Sequence, residues 1–308
     1  MAAPRVVVAH RASEYDELLA RHGTRGQVGF VLGTRGRAIE EVDAGHEALV
    51  AALATVAAAI PADWRRAAVE RAELARFVFE PGDIVVAVGS DGLVANLAKY
   101  LRGQPVIGVD PREGVNAGVL VTHSAAAVAG LLPAVAKASS RGATEEPRRG
   151  VARTLERTMV EAMADDGQRL LALNEVFVGQ AGHQSARYSL QVGGRGERQS
   201  SSGVIVGTGT GSTGWCASLQ RVQAPDLPLP EPTSARLSWF VREPWPSPST
   251  GADLVAGTLA EGEELVVDVE SEGLVVFGDG MEADRLTLGW GQRVVVRRAP
   301  EVLRTVVA

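Results

Sequence analysis

The sequence predicts an α/β N-terminal domain built on a Rossmann-like parallel sheet, followed by a β-rich C-terminal domain. Ile84–Val88 is an unbroken apolar run, opened by Pro81-Gly82-Asp83 and closed by Gly89-Ser90-Asp91-Gly92. That is the pattern of a strand buried on both faces of a parallel sheet. Up to about residue 121, strand-like and helix-like segments alternate, as βαβ units do. Beyond the polar stretch 139–149 the texture changes to short strands and turns. With 308 residues, 45% of them hydrophobic, the chain can bury two separate cores. We place the α/β domain at 1–122, the β-rich domain at 123–298, and a tail at 299–308 able to return to the first domain.

Val6–Ala9 reads as the first strand and Ser13–His22 as a helix, with Ser13 and Asp16 spaced as a capping box and Gly23 placed to end it. Residues 39–60 have helical composition and stop before Pro61. The segment 63–79 is ambiguous between helix and strand. After the Ile84–Val88 strand come a helix at Leu93–Leu101, a short strand at Pro105–Val109 and a helical segment at Ser124–Lys137. In the second half, strand texture appears at 185–194, 201–211, 263–270, 273–280 and 292–298. The proline-dense stretches 224–232 and 242–253 read as surface loops.

Composition narrows the partners. A net charge of −6, from 31 Lys and Arg against 37 Asp and Glu, argues against a nucleic-acid surface, which needs clustered cations. Small-molecule partners are expected instead. No apolar run reaches the roughly 18 residues that span a bilayer, because the alanine-rich stretch 47–60 is interrupted by Glu47 and ended by Pro61; no membrane partner is expected. The opening MAAPRVVVAH lacks a long apolar secretory region, and the expected location is the cytoplasm. Cys216 is the single cysteine, and no Cys/His cluster has zinc spacing. The histidines at 10, 22, 46, 123 and 183 are scattered, and each reads first as a surface or hydrogen-bonded side chain.

Three short motifs can carry chemistry. Gly89-Ser90-Asp91-Gly92 sits at the carboxyl end of a buried strand and ahead of a helix, where α/β sheets bind ligands. Its backbone N–H groups can face phosphate oxygens, and its carboxylate can take a hydroxyl proton; a plain strand-to-helix turn would use the same residues. Asn174-Glu175 is a polar pair inside an apolar run. An amide can meet a base or ribose edge and a carboxylate a pair of ribose hydroxyls, although a bulge or strand-end turn has the same look. Residues 201–215 form a strand that runs into a Gly/Thr/Ser loop closed by Trp215. Gly209–Gly214 matches G-x-G-x-x-G formally. It fails as a Rossmann fingerprint because proline-rich sequence follows within ten residues instead of a second strand with an acidic end. No G-x-x-x-x-G-K-[ST] P-loop is present.

In this order the three motifs resemble the NAD kinase family, whose members carry GGDG, NE and TPTGST-type motifs. The chain is most similar to the mitochondrial type of NAD kinase, in Leu173–Gly179, Ser201–Trp215, Trp239–Pro244 and Leu303–Val306, with further likeness at 106–110 and 277–280. The resemblance spans about residues 80–308, and the first 80 match loosely. It implies an NAD kinase-like fold, with 1–122 nucleotide-binding and 123–298 substrate-binding. It also implies a homodimer or higher homo-oligomer, and ATP and Mg²⁺ as cofactors. Asp91 would be the acid-base residue at the 2′-hydroxyl of the adenosine ribose of NAD, giving NADP. Gly89, Ser90, Gly92, Gly209, Thr210, Gly211 and Ser212 would face the ATP phosphates. Asn174, Glu175, Ser202, Thr213, Gly214, Trp215 and Ser218 would hold the NAD substrate, with Trp215 in the place of an aromatic that packs on adenine.

The family pattern has a second glycine where this chain has Ser90, and usually a threonine where it has Leu93. If position 90 needs positive φ, a serine there costs on the order of 1 kcal/mol. Two alternatives therefore stay open: phosphorylation of a ribose hydroxyl of another nucleoside or nucleotide, and nucleotide binding without catalysis.

Overall fold

The structure, a computed structural model, describes residues 3–112, 114–115, 118–139 and 152–307. Most of the polar stretch 139–149 therefore lies outside the described residues. The chain forms two compact units, Met1–Leu155 with Arg304–Ala308, and Glu156–Leu303.

The first unit follows the α/β pattern, with β1 (Arg5–His10), α1 (Glu14–His22), α2 (Arg25–Gly33), α3 (Ile39–Ala59), β2 (Arg65–Glu70), β3 (Asp83–Val88), α4 (Asp91–Ala98), β4 (Pro105–Val109) and α5 (Val128–Ser139). The strands are parallel in the order β2-β1-β3-β4, and Arg304 and Thr305 extend the sheet beside Pro105 and Val106. All six residues of β3 are buried, because side chains on both faces of the sheet are covered. The capping box at α1 forms as its spacing indicated, with Gly23 at φ 83 ending the helix. The ambiguous segment 63–79 resolves into β2 and a 3₁₀ turn at Arg71–Arg76.

Three features depart from the sequence reading. Helix α2 was hidden by Gly26, Gly29 and Gly33, which lower helix propensity; it forms because Thr24 caps it and Val28 and Leu32 are buried. Helix α3 is long and apolar enough, by length and composition, to cross a bilayer, although no such run was expected. Its Ala52 and Val56 pack into the core of the first unit. Helix α5 lies beyond the boundary placed at 122, yet Val128, Leu132 and Val135 pack with Ile84, Val86 and Ile107. Hydrophobic burial thus assigns α5 to the first unit.

The second unit comprises β5 (Arg153–Ala164), β6 (Arg169–Ala172), β7 (Glu175–Gln180), β8 (Ala186–Val192), β9 (Arg195–Ser201), β10 (Gly203–Gly207), α6 (Trp215–Gln223), β11 (Leu237–Arg242), β12 (Ala256–Leu259), β13 (Glu264–Val269), β14 (Leu274–Gly278), β15 (Met281–Leu288) and β16 (Arg293–Val307). One antiparallel sheet runs β12-β11-β10-β7-β14-β15, and a second carries the order β16-β13-β8-β9. Alternate residues of both, among them Val176, Val178, Val204, Val206, Leu190, Val267 and Val294, share one apolar core, as the period-2 geometry of strands requires. The other face of the six-stranded sheet presents Phe177, Ile205, Phe240 and Val275, which α6 covers with Cys216, Trp215 and Leu219.

Gly108 shows how tightly one connection is drawn. A Cβ on Gly108 of β4 would lie 2.0 Å from the Leu120 carbonyl oxygen and 2.9 Å from Val121 Cα, both backbone atoms with little room to yield. Gly108→Ala is therefore expected to lower stability by about 2 kcal/mol or more, read as a lower urea midpoint at unchanged m. An unchanged midpoint would mean that the segment around Leu120 is free to retreat.

Candidate active site

In the first unit the chemistry gathers where β3 turns into α4. The Gly89 N–H donates to Val109 O at 3.0 Å, fixing the turn to the end of β4. Ser90 is the helix N-cap at φ −98, ψ 169, exposed and without a side-chain cap bond. Its backbone is ordinary extended chain, so serine brings no strain where the family pattern has glycine. Leu93 is a core residue, 2% exposed, and a Cβ on Gly89 would lie 3.2 Å from its Cδ2. The glycine at 89 makes room for the leucine at 93.

Asp91 occupies the first turn of α4, and its carboxylate is clasped by backbone. Val119 N–H donates to Oδ2 at 2.8 Å, while Leu120 and Val121 N–H donate to Oδ1 at 2.9 and 3.0 Å. Two donors saturate Oδ1, and Oδ2 keeps one lone pair available. Gly118 permits the approach, since its Cβ would stand 3.2 Å from Asp91 Oδ1.

A cleft of about 460 Å³ opens beside this turn, lined among others by Arg11, Ser13, His46, Gly89, Ser90 and Arg112. It lies at the carboxyl edge of the parallel strands, the usual binding edge of such sheets. Arg11 pairs with Glu17 at 2.9 Å, and Ser13 Oγ lies 2.8 Å from His46 Nδ1. The sequence reading missed Arg11 and Arg112. Each is a cation just past the end of a parallel strand, a signal visible once β1 and β4 are placed. Exposed Ser90 at the start of α4 and the guanidinium groups of Arg11 and Arg112 offer contacts to a polyphosphate, although Glu14, Glu17 and Glu41 line the same cleft. Among the described residues no group of three His, Cys, Asp or Glu could hold a metal. Mg²⁺ commonly rests on one or two carboxylates plus substrate phosphates, so the residues present fit a metal that arrives with the nucleotide.

In the second unit Asn174-Glu175 forms an elbow between β6 and β7, held from two sides. Thr208 Oγ1 donates to Leu173 O at 2.6 Å and the Thr208 N–H to Asn174 O at 2.8 Å. Asp279 accepts from the Leu173 and Asn174 N–H groups at 2.9 and 2.6 Å. Sequence reading noted Asp279 only within 277–280 and gave it no role. The Gly/Thr/Ser loop packs on the same elbow, for a Cβ on Gly211 would lie 2.4 Å from Asn174 O. Gly209 is pressed against Glu231 O, 2.0 Å from its would-be Cβ, and Ser212 Oγ donates to Thr208 O at 3.2 Å. The buried Thr210 hydroxyl has no hydrogen-bond partner among the described residues. Thr213, Gly214 and Ser218 are exposed at and after this loop.

Two other residues stand differently from the expectation. Ser202 precedes β10 and is separated from the loop at 208 by the whole strand; its hydroxyl bonds Glu243. The structure therefore does not bring it to the elbow. The Trp215 ring packs 5.8 Å from Phe177 at 15°, with the Arg242 guanidinium 5.1 Å from its centroid, so part of its surface is already used.

Burial, and then the charge of Asp279, push the Glu175 carboxyl up to about 7 from an ordinary 4.5. Burial, then Glu175 itself, raises the Cys216 thiol to about 12. A carboxyl whose folded pKa is raised binds more protons folded than unfolded, so its ionisation destabilises the fold as pH climbs from 4.5 through 7. Glu175→Gln removes that cost. Its unfolding free energy should exceed that of the parent protein by about 2 kcal/mol at pH 8, after allowance for partial exposure, with the gain vanishing below pH 4.5. Equal stabilities at pH 8 would contradict the raised carboxyl.

No family model matches the chain, and no curated protein matches it. Among solved structures the chain is similar to an NAD kinase from Archaeoglobus fulgidus in complex with ATP, with a TM-score of 0.56 and 18% sequence identity over 98% of this chain and 93% of that chain. At that identity the likeness shows the fold: an α/β unit with a parallel sheet and a β-rich unit, arranged in sequence as in the NAD kinase fold.

Proposed function

We propose that the chain is an ATP-dependent NAD kinase that transfers the γ-phosphoryl group to the 2′-hydroxyl of the adenosine ribose, giving NADP. The observation that carries this reading is Asp91, fixed by three backbone N–H groups at the carboxyl end of β3 with one lone pair of Oδ2 available. The ATP-bound structural relative and the order of the three motifs support it. The wording shared with the mitochondrial type of NAD kinase supports the same acceptor.

Phosphoryl transfer depends on positioning and charge neutralisation more than on covalent help from the protein. Asp91 Oδ2 accepts the hydrogen bond of the ribose hydroxyl and then its proton, as the oxygen–phosphorus bond forms and the bond to the ADP leaving group breaks. Arg11, Arg112 and the backbone at Gly89–Gly92 bind and orient phosphate oxygens. A Mg²⁺ ion arriving with the nucleotide would add to the neutralisation of those oxygens. Glu175, when ionised, accepts hydrogen bonds from ribose hydroxyls, and Asn174 offers an amide donor and acceptor beside it.

The test is incubation with ATP, Mg²⁺ and NAD, alone and beside a nucleoside panel, with NADP and ADP quantified. NADP formation dependent on ATP is expected, and Asp91→Asn should reduce kcat by roughly 10²- to 10⁴-fold with circular dichroism unchanged. ATP turnover with another nucleoside and none with NAD would move the acceptor. Near-normal turnover in Asp91→Asn would remove Asp91 from the chemistry.

A further inference from the structure

The β14–β15 hairpin ends in a turn whose two central residues both have positive φ, Asp279 at 54° and Gly280 at 68°. An Asp-Gly pair suits such a turn, but this aspartate also reaches beyond its own hairpin. Its carboxylate accepts the N–H groups of Leu173 and Asn174, and its own N–H donates to Glu175 O at 3.1 Å. The hairpin is pressed onto the elbow: a Cβ on Gly278 would lie 2.7 Å from Ala172 Cβ and 3.4 Å from Glu175 O. The Asp279 carboxylate thus stands close enough to Glu175 for its charge to act on that side chain. The titratable groups that face Glu175 among the described residues are Asp279 from the hairpin and the Cys216 thiol from α6.

We propose that Asp279 is the positioning residue of the candidate substrate elbow: it fixes the backbone that presents Asn174 and Glu175 to a ribose-bearing ligand, and it lays its own carboxylate beside that of Glu175. This rests on the reading that Asn174 and Glu175 hold the dinucleotide. Burial first, and the charge of Asp279 second, raise the Glu175 carboxyl. A consequence is that ligand binding through the Glu175 carboxylate weakens as pH falls below about 7, by about tenfold per pH unit at the limit.

Asp279→Asn separates the two contributions. Asparagine tolerates positive φ better than other non-glycine residues, so the turn survives, but one of the two backbone donors loses its acceptor and the charge is gone. Calorimetric titration of the whole protein with NAD between pH 5.5 and 8.5 should show binding roughly tenfold weaker at pH 8, as for a lost buried charge-assisted bond, with the acidic loss of affinity displaced to lower pH. Thr208→Val, which loosens the elbow without changing charge, should weaken binding while leaving the pH dependence where it is in the parent protein. Carboxyl-carbon NMR of Glu175 in the ligand-free protein gives a readout independent of function: its midpoint should fall toward the ordinary range in Asp279→Asn. A Glu175 midpoint unmoved in Asp279→Asn would overturn the proposal. Failure of NAD to bind the parent protein, with the midpoint moved, would instead overturn the dinucleotide reading and leave the coupling intact.

Discussion

Backbone N–H groups gathered on a carboxylate are the constraint on which the candidate residues of each unit depend. Asp91 takes three from Val119, Leu120 and Val121. The irregular chain between β4 and α5 has donors outside any ladder, and a buried donor without a partner costs about as much as a lost hydrogen bond. One aspartate at the start of α4 meets that need and is itself immobilised. A side chain that is to receive a proton from a defined hydroxyl has to be held in this way, since reaction depends on placing the acceptor within hydrogen-bond reach.

Asp279 repeats the device in the second unit with another result. Its two backbone donors belong to the elbow that carries Asn174 and Glu175, so the same contact that orders the elbow sets a negative charge beside a half-buried carboxyl. The fold bears the destabilisation of an ionised Glu175 near neutral pH. Strained or costly groups of this sort concentrate where a protein binds or reacts, because the surrounding structure over-determines them. The glycines at 108, 118, 211 and 278 serve these contacts by close approach, each with backbone or side-chain atoms within 3 Å of a would-be Cβ.

Much of this was legible in the sequence because periodicity and turn chemistry are local. The buried β3, the capping box of α1 and the helical span of α3 follow from patterns within about 20 residues, and the parallel sheet with a β-rich second half follows from their alternation. Contacts between distant segments were not legible. Arg112 and Arg11 share a cleft only after β1 and β4 are aligned, and Asp279 meets Asn174 across 105 positions. Helix α2 was concealed by three glycines, one of which faces Ile39 Cδ1 at 3.5 Å from its would-be Cβ. Ser90 reads as a defect against a two-glycine pattern, because a sequence carries no φ. At −98° it is an unstrained N-cap.

The most direct measurement is a crystal structure of the chain with NAD and an ATP analogue that cannot transfer its γ-phosphoryl group. The expected result is an adenosine 2′-oxygen within about 3.2 Å of Asp91 Oδ2, with the Leu120 and Val121 amides still on Oδ1. A bound dinucleotide whose ribose hydroxyls all lie out of reach of Asp91 would contradict the assignment of Asp91 as the group that receives the hydroxyl proton.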